Sequence, residues 1–238
     1  MKKLLVNILC VFIPNKHKRH MFRLRLNYPI SKWIQFAKGF SSAQNPRIRC
    51  TCGYRGVNLV VNVDDKYVFK FPLKTNGVEI ATREKRITDA LRPISPIKIP
   101  KMEIVYLGDL AIRKYECVSG IGFHDLNREE QNAHAEKIAR QLAKFFYTVG
   151  MADPKEIRDL KNNKNEKPSI MHGWNQNDLW DNFIMNPRTF DIVAMIDWEE
   201  ATFGDFYRFF VGGTGNGSMK RALLREYLKL YVHGPIRK

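Results

Sequence analysis

Three things are scarce in this 238-residue chain, and each scarcity excludes something. There are four cysteines, Cys10, Cys50, Cys52 and Cys117. They are too few and too scattered for a disulfide scaffold, and Cys50-x-Cys52 lacks both the spacing and the second pair of a zinc finger. Reduced thiols in a cytosolic setting are expected. Long apolar runs are scarce as well. Leu4–Ile13 offers about ten apolar residues where a membrane span needs roughly 20; it is broken by Asn7, followed by Pro14, and lacks the small-x-small site of a signal peptide. The third scarcity is local: residues 1–63 contain no Asp or Glu.

What is there begins with charge. The net charge is +16, from 40 Lys and Arg against 24 Asp and Glu. Twelve of the basic residues lie within 1–63, leaving 28 against 24 for the rest, a net of +4. A nucleic-acid groove would spread its charge over the domain, so no nucleic-acid partner is expected. An apolar segment followed by "KHKRHMFRLRL" suits the anionic inner face of a membrane, which attracts Lys and Arg at about 1 kcal/mol each. An ordinary helix packing its apolar face on the domain fits the same residues. With 44% apolar and 12% aromatic residues, the chain has the composition of a folded protein that can bury a sizeable core.

From Arg49 the pattern becomes structural. "TCGYRGVNLVVNV" and "DKYVFKFPL" read as strands separated by a turn at Asp64-Asp65. Gly77–Leu91 reads as a helix with Ile80, Ile87 and Leu91 near one face. Strands are expected at Glu103–Leu107 and Leu110–Tyr115, an amphipathic helix at Glu129–Val149, and a last helix around Met219–Val232. The order is β-rich and then helix-rich, an α+β chain with two lobes. Residues 1–48 read as a basic extension, 49–116 as a β-rich lobe and 117–238 as a helical lobe.

Several polar residues stand where chemistry would need them. Gly53 and Gly56 open a hairpin where backbone amides can approach phosphate, without the Gly-Lys-Ser/Thr of a Walker loop. Lys70 is a cation set in a strand of Val and Phe, and Glu84 on the next helix can hold it. Glycine turn, strand lysine and helix glutamate follow the order of a kinase phosphate clamp. Glu116 heads a short segment, "ECVSG", whose backbone could meet an adenine edge. "IMHGWNQNDLWDNFIM" (Ile170–Met185) and "IDWEEATFGD" (Ile196–Asp205) supply carboxylates and amides at the ends of two apolar strands. Phosphoryl transfer needs a base for the acceptor hydroxyl and oxygen ligands for Mg2+ on the phosphates. Asp178 fits the base, and Asn182 and Asp197 the metal ligands. Glu199 or Glu200 could touch metal or a basic acceptor, and Asp205 reads as a cap of the following helix or a brace for the loop.

These motifs resemble the aminoglycoside phosphotransferase and choline kinase family over about residues 50–210. Its strand lysine falls on Lys70, its helix glutamate on Glu84 and its Glu-x-x-x-Gly linker on Glu116–Gly120. Its His-Gly-Asp-Leu…Asn loop is echoed in His172–Asn182, and its Ile-Asp-Trp-Glu…Gly-Asp segment in Ile196–Asp205. The resemblance implies a two-lobed protein-kinase-like fold, with 49–116 as the nucleotide-binding lobe and 117–238 as the catalytic lobe, ATP with Mg2+, and transfer of phosphate to a hydroxyl. "LCVFIPNKHKRHMFR" separately resembles the leader of bacterial enzymes that build lipopolysaccharide or capsule, which implies a surface-glycan acceptor. Residues 1–38 are then a peripheral contact with anionic membrane, and the setting is the cytoplasm, at the inner membrane face.

One departure falls on the base. The family places it two residues after the His and five before the Asn, where this chain has Trp174 and Asn177. Gln176 stands where the His would be relative to Asp178. Either Asp178 serves after an insertion, or Asp181 does, or the base is lost. Two other readings therefore stay open: a non-catalytic kinase-fold module that binds nucleotide or a partner, and a basic membrane- or nucleic-acid-binding protein.

Overall fold

The structure, a computed structural model, describes residues 15–52, 57–73, 76–161, 170–211 and 216–233. Gly53, Gly56 and the apolar run Leu4–Ile13 lie outside the described residues. The described chain falls into two compact units, divided at positions 78/79, 102/103 and 117/118. No described helix is long and apolar enough to cross a membrane.

The first unit is a five-stranded sheet in the order β1-β2-β3-β5-β4. Its strands are β1 (Ile48–Cys52), β2 (Asn58–Val63), β3 (Tyr67–Pro72), β4 (Met102–Leu107) and β5 (Leu110–Glu116). The stretch expected as one strand from Thr51 is thus two, on either side of residues 53–56. The β2–β3 turn is made by Asp64 and Asp65, at φ 55° and 53°, a left-handed conformation that Asp tolerates better than most residues. It is tied down from outside the hairpin: Asp64 accepts from the Arg47 N–H at 2.6 Å and from the Ser41 hydroxyl, and Asp65 pairs with Arg47 and Arg49.

Residues 15–48 are folded into this unit rather than extending from it. Helix α1 (Lys16–Asn27) starts where the Asn15 side chain accepts the Lys18 N–H at 3.0 Å. Pro29 separates it from α2 (Ile30–Lys38). Leu24, Ile30, Trp33 and Ala37 are buried against Leu59, Val61, Phe69, Phe71 and Ile112 of the sheet. The Trp33 ring stacks on Phe71 at 5.2 Å. Because strand side chains alternate, placing Phe69 and Phe71 on this face puts Lys70 on the opposite one.

The second unit holds most of α3 (Gly77–Leu91), α4 (Arg128–Ala133), α5 (Ala135–Gly150), α6 (Arg208–Val211) and α7 (Gly217–His233). It also has two small sheets, β10 with β7 and β6-β8-β9. The strands are β6 (Ile121–Gly122), β7 (His172–Asn175), β8 (Phe183–Met185), β9 (Ile192–Met195) and β10 (Thr202–Asp205). The apolar face expected of α5 is buried at Ile138, Leu142, Phe145, Phe146 and Val149, and α7 adds Met219, Leu223 and Tyr227 to that core. The single helix expected over Glu129–Val149 is two. Asn127 caps the first in a capping box with Glu130, and His134 leaves helical geometry, its ring stacked on Phe190 at 3.6 Å. Gly173 lets β7 press against the end of α5, since a Cβ there would fall 1.9 Å from the Gly150 carbonyl oxygen.

The N-terminal helices carry a prediction. Trp33→Ala removes the centre of their contact with the sheet and is expected to destabilise the protein by about 3–5 kcal/mol, whereas Arg23→Ala, an exposed position on α1, changes stability by less than about 0.5 kcal/mol. Denaturant midpoints of the two variants check it.

Candidate active site

In the second unit the two sequence clusters are brought together by main chain. The Ile196 N–H donates to the Asn182 carbonyl at 2.9 Å, so Asn182, entering β8, lies beside the residue that precedes Asp197, just past the end of β9. Asp197 is in the left-handed region at φ 59°. Such a residue costs roughly 1–3 kcal/mol and persists only where its surroundings over-determine it.

They do so here. Gln176 donates its amide to the Ile196 and Asp197 carbonyls at 3.0 and 2.7 Å. Asn177 donates to the Glu200 carbonyl at 2.5 Å and to the Thr202 hydroxyl at 2.9 Å. From α3, Arg83 donates to the carbonyls of Glu199, at 3.4 Å, and of Ala201. The Trp198 carbonyl takes the Ala201 N–H at 3.0 Å. All six carbonyls from Ile196 to Ala201 are therefore held. In addition the Trp198 N–H donates to Glu84 Oε1 at 3.1 Å, and Glu84 is fully buried. Gln176, Asn177 and Arg83 were missed as contributors by sequence reasoning. The signal available was a run of three amides, "NQN" (Asn175–Asn177), between two apolar segments.

Trp174, two residues after His172, is wholly buried in the core, and His172 lies in β7, paired with Asp205 in β10. The loop expected to start at His172 starts at Gln176 instead, because β7 runs on to Asn175. Asn177, five residues before Asn182, sits at φ 73° with its amide committed to Glu200 and Thr202. Asp178 is the exposed carboxylate next to it, its N–H taken by Gln176 Oε1 at 3.1 Å. Partial burial pushes the Asp178 carboxyl above the ordinary aspartate range, and the charge and hydrogen bond of Asp181 and the charges of Glu200 and Asp197 add to this. Four carboxylates thus share one field. Asp181, the alternative base, pairs with His124 Nε2 at 2.9 Å. Asp205, at the end of β10, accepts the Tyr207 N–H at 2.7 Å, a local turn bond ahead of α6 rather than a bond to the helix's own N–H groups.

In the first unit Lys70 is nearly buried, its Nζ 5.5 Å from the centre of the Tyr115 ring. Its cross-strand partner is Arg113, also buried, which donates to Asn58 Oδ1 at 2.6 Å. The two cations thus stand side by side on one face of the sheet. Glu116 ends β5 opposite Tyr67, and the next N–H, of Cys117, donates to the Lys66 carbonyl at 2.8 Å. Gly120, which closes the Glu-x-x-x-Gly segment, has φ 153°, and a Cβ there would meet the Met185 carbonyl oxygen at 2.4 Å. Only glycine fits.

A pH dependence follows from Asp178. With its folded pKa raised above the unfolded one, the folded state binds the extra proton; that stabilisation is complete below the unfolded value and is lost as pH rises through the folded value. Asp178→Asn is therefore expected to raise the melting temperature at neutral pH, and the gain should vanish at pH values below the unfolded aspartate pKa. Melting curves across pH check it.

No family model and no curated protein matches the chain. Solved structures do. A GDP and kanamycin complex of APH(2")-IIia is 18% identical, with 86% of this chain and 85% of that one covered at a TM-score of 0.62. A streptomycin–ATP complex of APH(2")-IIa is 16% identical, covering 83% and 84% at 0.58. The macrolide 2'-phosphotransferase MphH of Brachybacterium faecium is 13% identical, covering 87% and 84% at 0.54. The chain shares the protein-kinase-like α+β fold of these phosphotransferases.

Proposed function

We propose that the chain is an ATP- and magnesium-dependent phosphotransferase that moves the γ-phosphate to a hydroxyl of a small molecule or of a surface-glycan sugar. The observation that carries this reading is Gln176, which takes the Asp178 N–H and donates to the Asp197 carbonyl and so ties the two aspartates' segments together, with Asn182 held beside the 196–201 turn. The solved structures of the same fold, described as complexes with ATP, GDP, streptomycin and kanamycin, support nucleotide binding and a small hydroxylated acceptor.

The residues fit a nucleotide-borne magnesium. Among the described residues no group of three or more His, Cys, Asp or Glu is placed to hold a metal alone, but Mg2+ commonly takes one or two protein oxygens and completes its shell with phosphates and water. The Asn182 amide and the Asp197 carboxylate are such oxygens, and the crowding that raises the Asp178 carboxyl is what a cation would relieve. When bound, the metal would neutralise charge on the phosphates. Lys70, with Arg113 beside it on the sheet, is the cation assigned to the phosphates; Glu84, assigned to Lys70 from the sequence, accepts the Trp198 N–H. Asp178 orients and deprotonates the acceptor hydroxyl for in-line attack.

An inner-membrane setting is part of the same proposal. The apolar side of α1 and α2 is turned into the sheet core, so contact with anionic lipid through residues 15–38 would rest on exposed charges such as Arg23 and Arg25. A second reading, a kinase-fold module that binds nucleotide without turnover, is favoured by one observation, the amide at Asn177.

ATP turnover against aminoglycosides, choline and lipid-linked or core sugars separates the two. Turnover is expected with at least one acceptor, reduced about 10²–10⁴-fold by Asp178→Asn and lost in Asp197→Ala. Nucleotide at 100 times its dissociation constant should stabilise the protein by about 2.7 kcal/mol. That shift without turnover supports the second reading, and no shift at saturating Mg2+ and ATP overturns both.

A further inference from the structure

Arg83 has no part in the chemistry proposed above, yet its setting differs from that of its neighbours on α3. Lys85 and Arg86 reach carboxylates, Asp89 at 2.6 Å and Asp159 at 2.6 Å. Arg83 instead spends its guanidinium on two main-chain carbonyls, Glu199 and Ala201. Burial holds its pKa below the usual arginine range, partly offset by the charge of Glu84. A desolvated guanidinium is costly unless its donors are met, and here they are met by the turn that follows Asp197. One residue later on the same helix, Glu84 takes the N–H of Trp198. Two consecutive side chains of α3 thus grip the same four residues, one through carbonyls and one through an N–H.

We propose that Arg83 is a positioning residue that sets the protein's affinity for the nucleotide-borne divalent cation by fixing the Trp198–Ala201 turn and, through it, the left-handed conformation of Asp197. The proposal rests on the phosphotransferase reading for the identity of the cation, but the clamp itself does not. A planar fork reaches two carbonyls at once, whereas the single ammonium of lysine is a point donor on a flexible stem. Lysine at this position should hold the turn in part, and methionine, of similar reach without donors, should not hold it.

The test uses the whole protein with Mn2+ and ADP. Free Mn2+ is measured by electron paramagnetic resonance, and hydrogen exchange is followed at the amides of residues 197–201. Arg83→Met is expected to weaken Mn2+ binding in the ADP complex about tenfold, to leave affinity for ADP without metal unchanged, and to speed exchange across the turn. Arg83→Lys is expected to fall between Arg83→Met and the unmodified protein, and it also serves should Arg83→Met fail to fold. Arg86→Met, one turn away, should match the unmodified protein in both readouts. Unchanged Mn2+ affinity and exchange in both Arg83 variants would overturn the proposal, as would an equal loss in Arg86→Met. If the unmodified protein binds no Mn2+ with ADP, the metal role falls together with the phosphotransferase reading, and the exchange data alone then decide whether the clamp exists.

Discussion

Six consecutive carbonyls, Ile196 to Ala201, have no strand or helix of their own to bond with, and five of the six are satisfied by side chains from elsewhere in the unit. A loop near a core must place its polar main chain somewhere, or lose about 1–3 kcal/mol for each buried group left unmet. Here the donors are two amides in the 176–177 loop and a guanidinium on α3. The result is a turn whose shape is dictated from three sides. That is why Asp197 can hold a backbone conformation that an aspartate in a free loop would abandon.

The electrostatics follow from the same constraint. Fixing the turn brings the charges of Asp197 and Glu200 towards Asp178, whose carboxyl is pushed up by its partial burial and by its acidic neighbours. Such crowding opposes folding in the empty protein, and unfavourable charge pairs of this kind concentrate at sites that bind a counter-charge. The first unit shows the opposite sign, with Lys70 and Arg113 facing each other across two strands in a nearly dry setting. Cations thus gather at Lys70 and Arg113 in the first unit, and carboxylates at Asp178, Asp181, Asp197 and Glu200 in the second.

Much of the frame was legible because it follows short-range rules. Leu and Phe at helical spacing marked α5, richness in Val and Phe marked β2 and β3, and Asp64-Asp65 marked their turn. The kinase-like fold itself was reached through Lys70, Glu84, Asn182 and Asp197 in order. What escaped was whatever depends on contacts far apart in sequence. Arg83 looks like any helix-surface arginine until its carbonyl acceptors, more than a hundred positions away, are known. Residues 15–38 read as a basic extension because their charges are conspicuous, while the packing of Trp33 on Phe71 is invisible before folding. The start of the loop escaped for a related reason: counting from His172 assumes that the loop starts there, whereas Trp174 is drawn into the core and β7 continues to Asn175.

The central claim is that the side-chain-held turn presents Asp197 and Asn182 to a single cation. A crystal structure with Mn2+ and a non-hydrolysable ATP analogue tests it most directly, since the anomalous signal locates the metal without reference to the protein. The account predicts one peak in contact with an oxygen of Asn182 and an oxygen of Asp197, with the bonds from Gln176, Asn177 and Arg83 intact. A metal bound away from both residues, or a 196–201 turn that has let go of those donors to reach it, would contradict it.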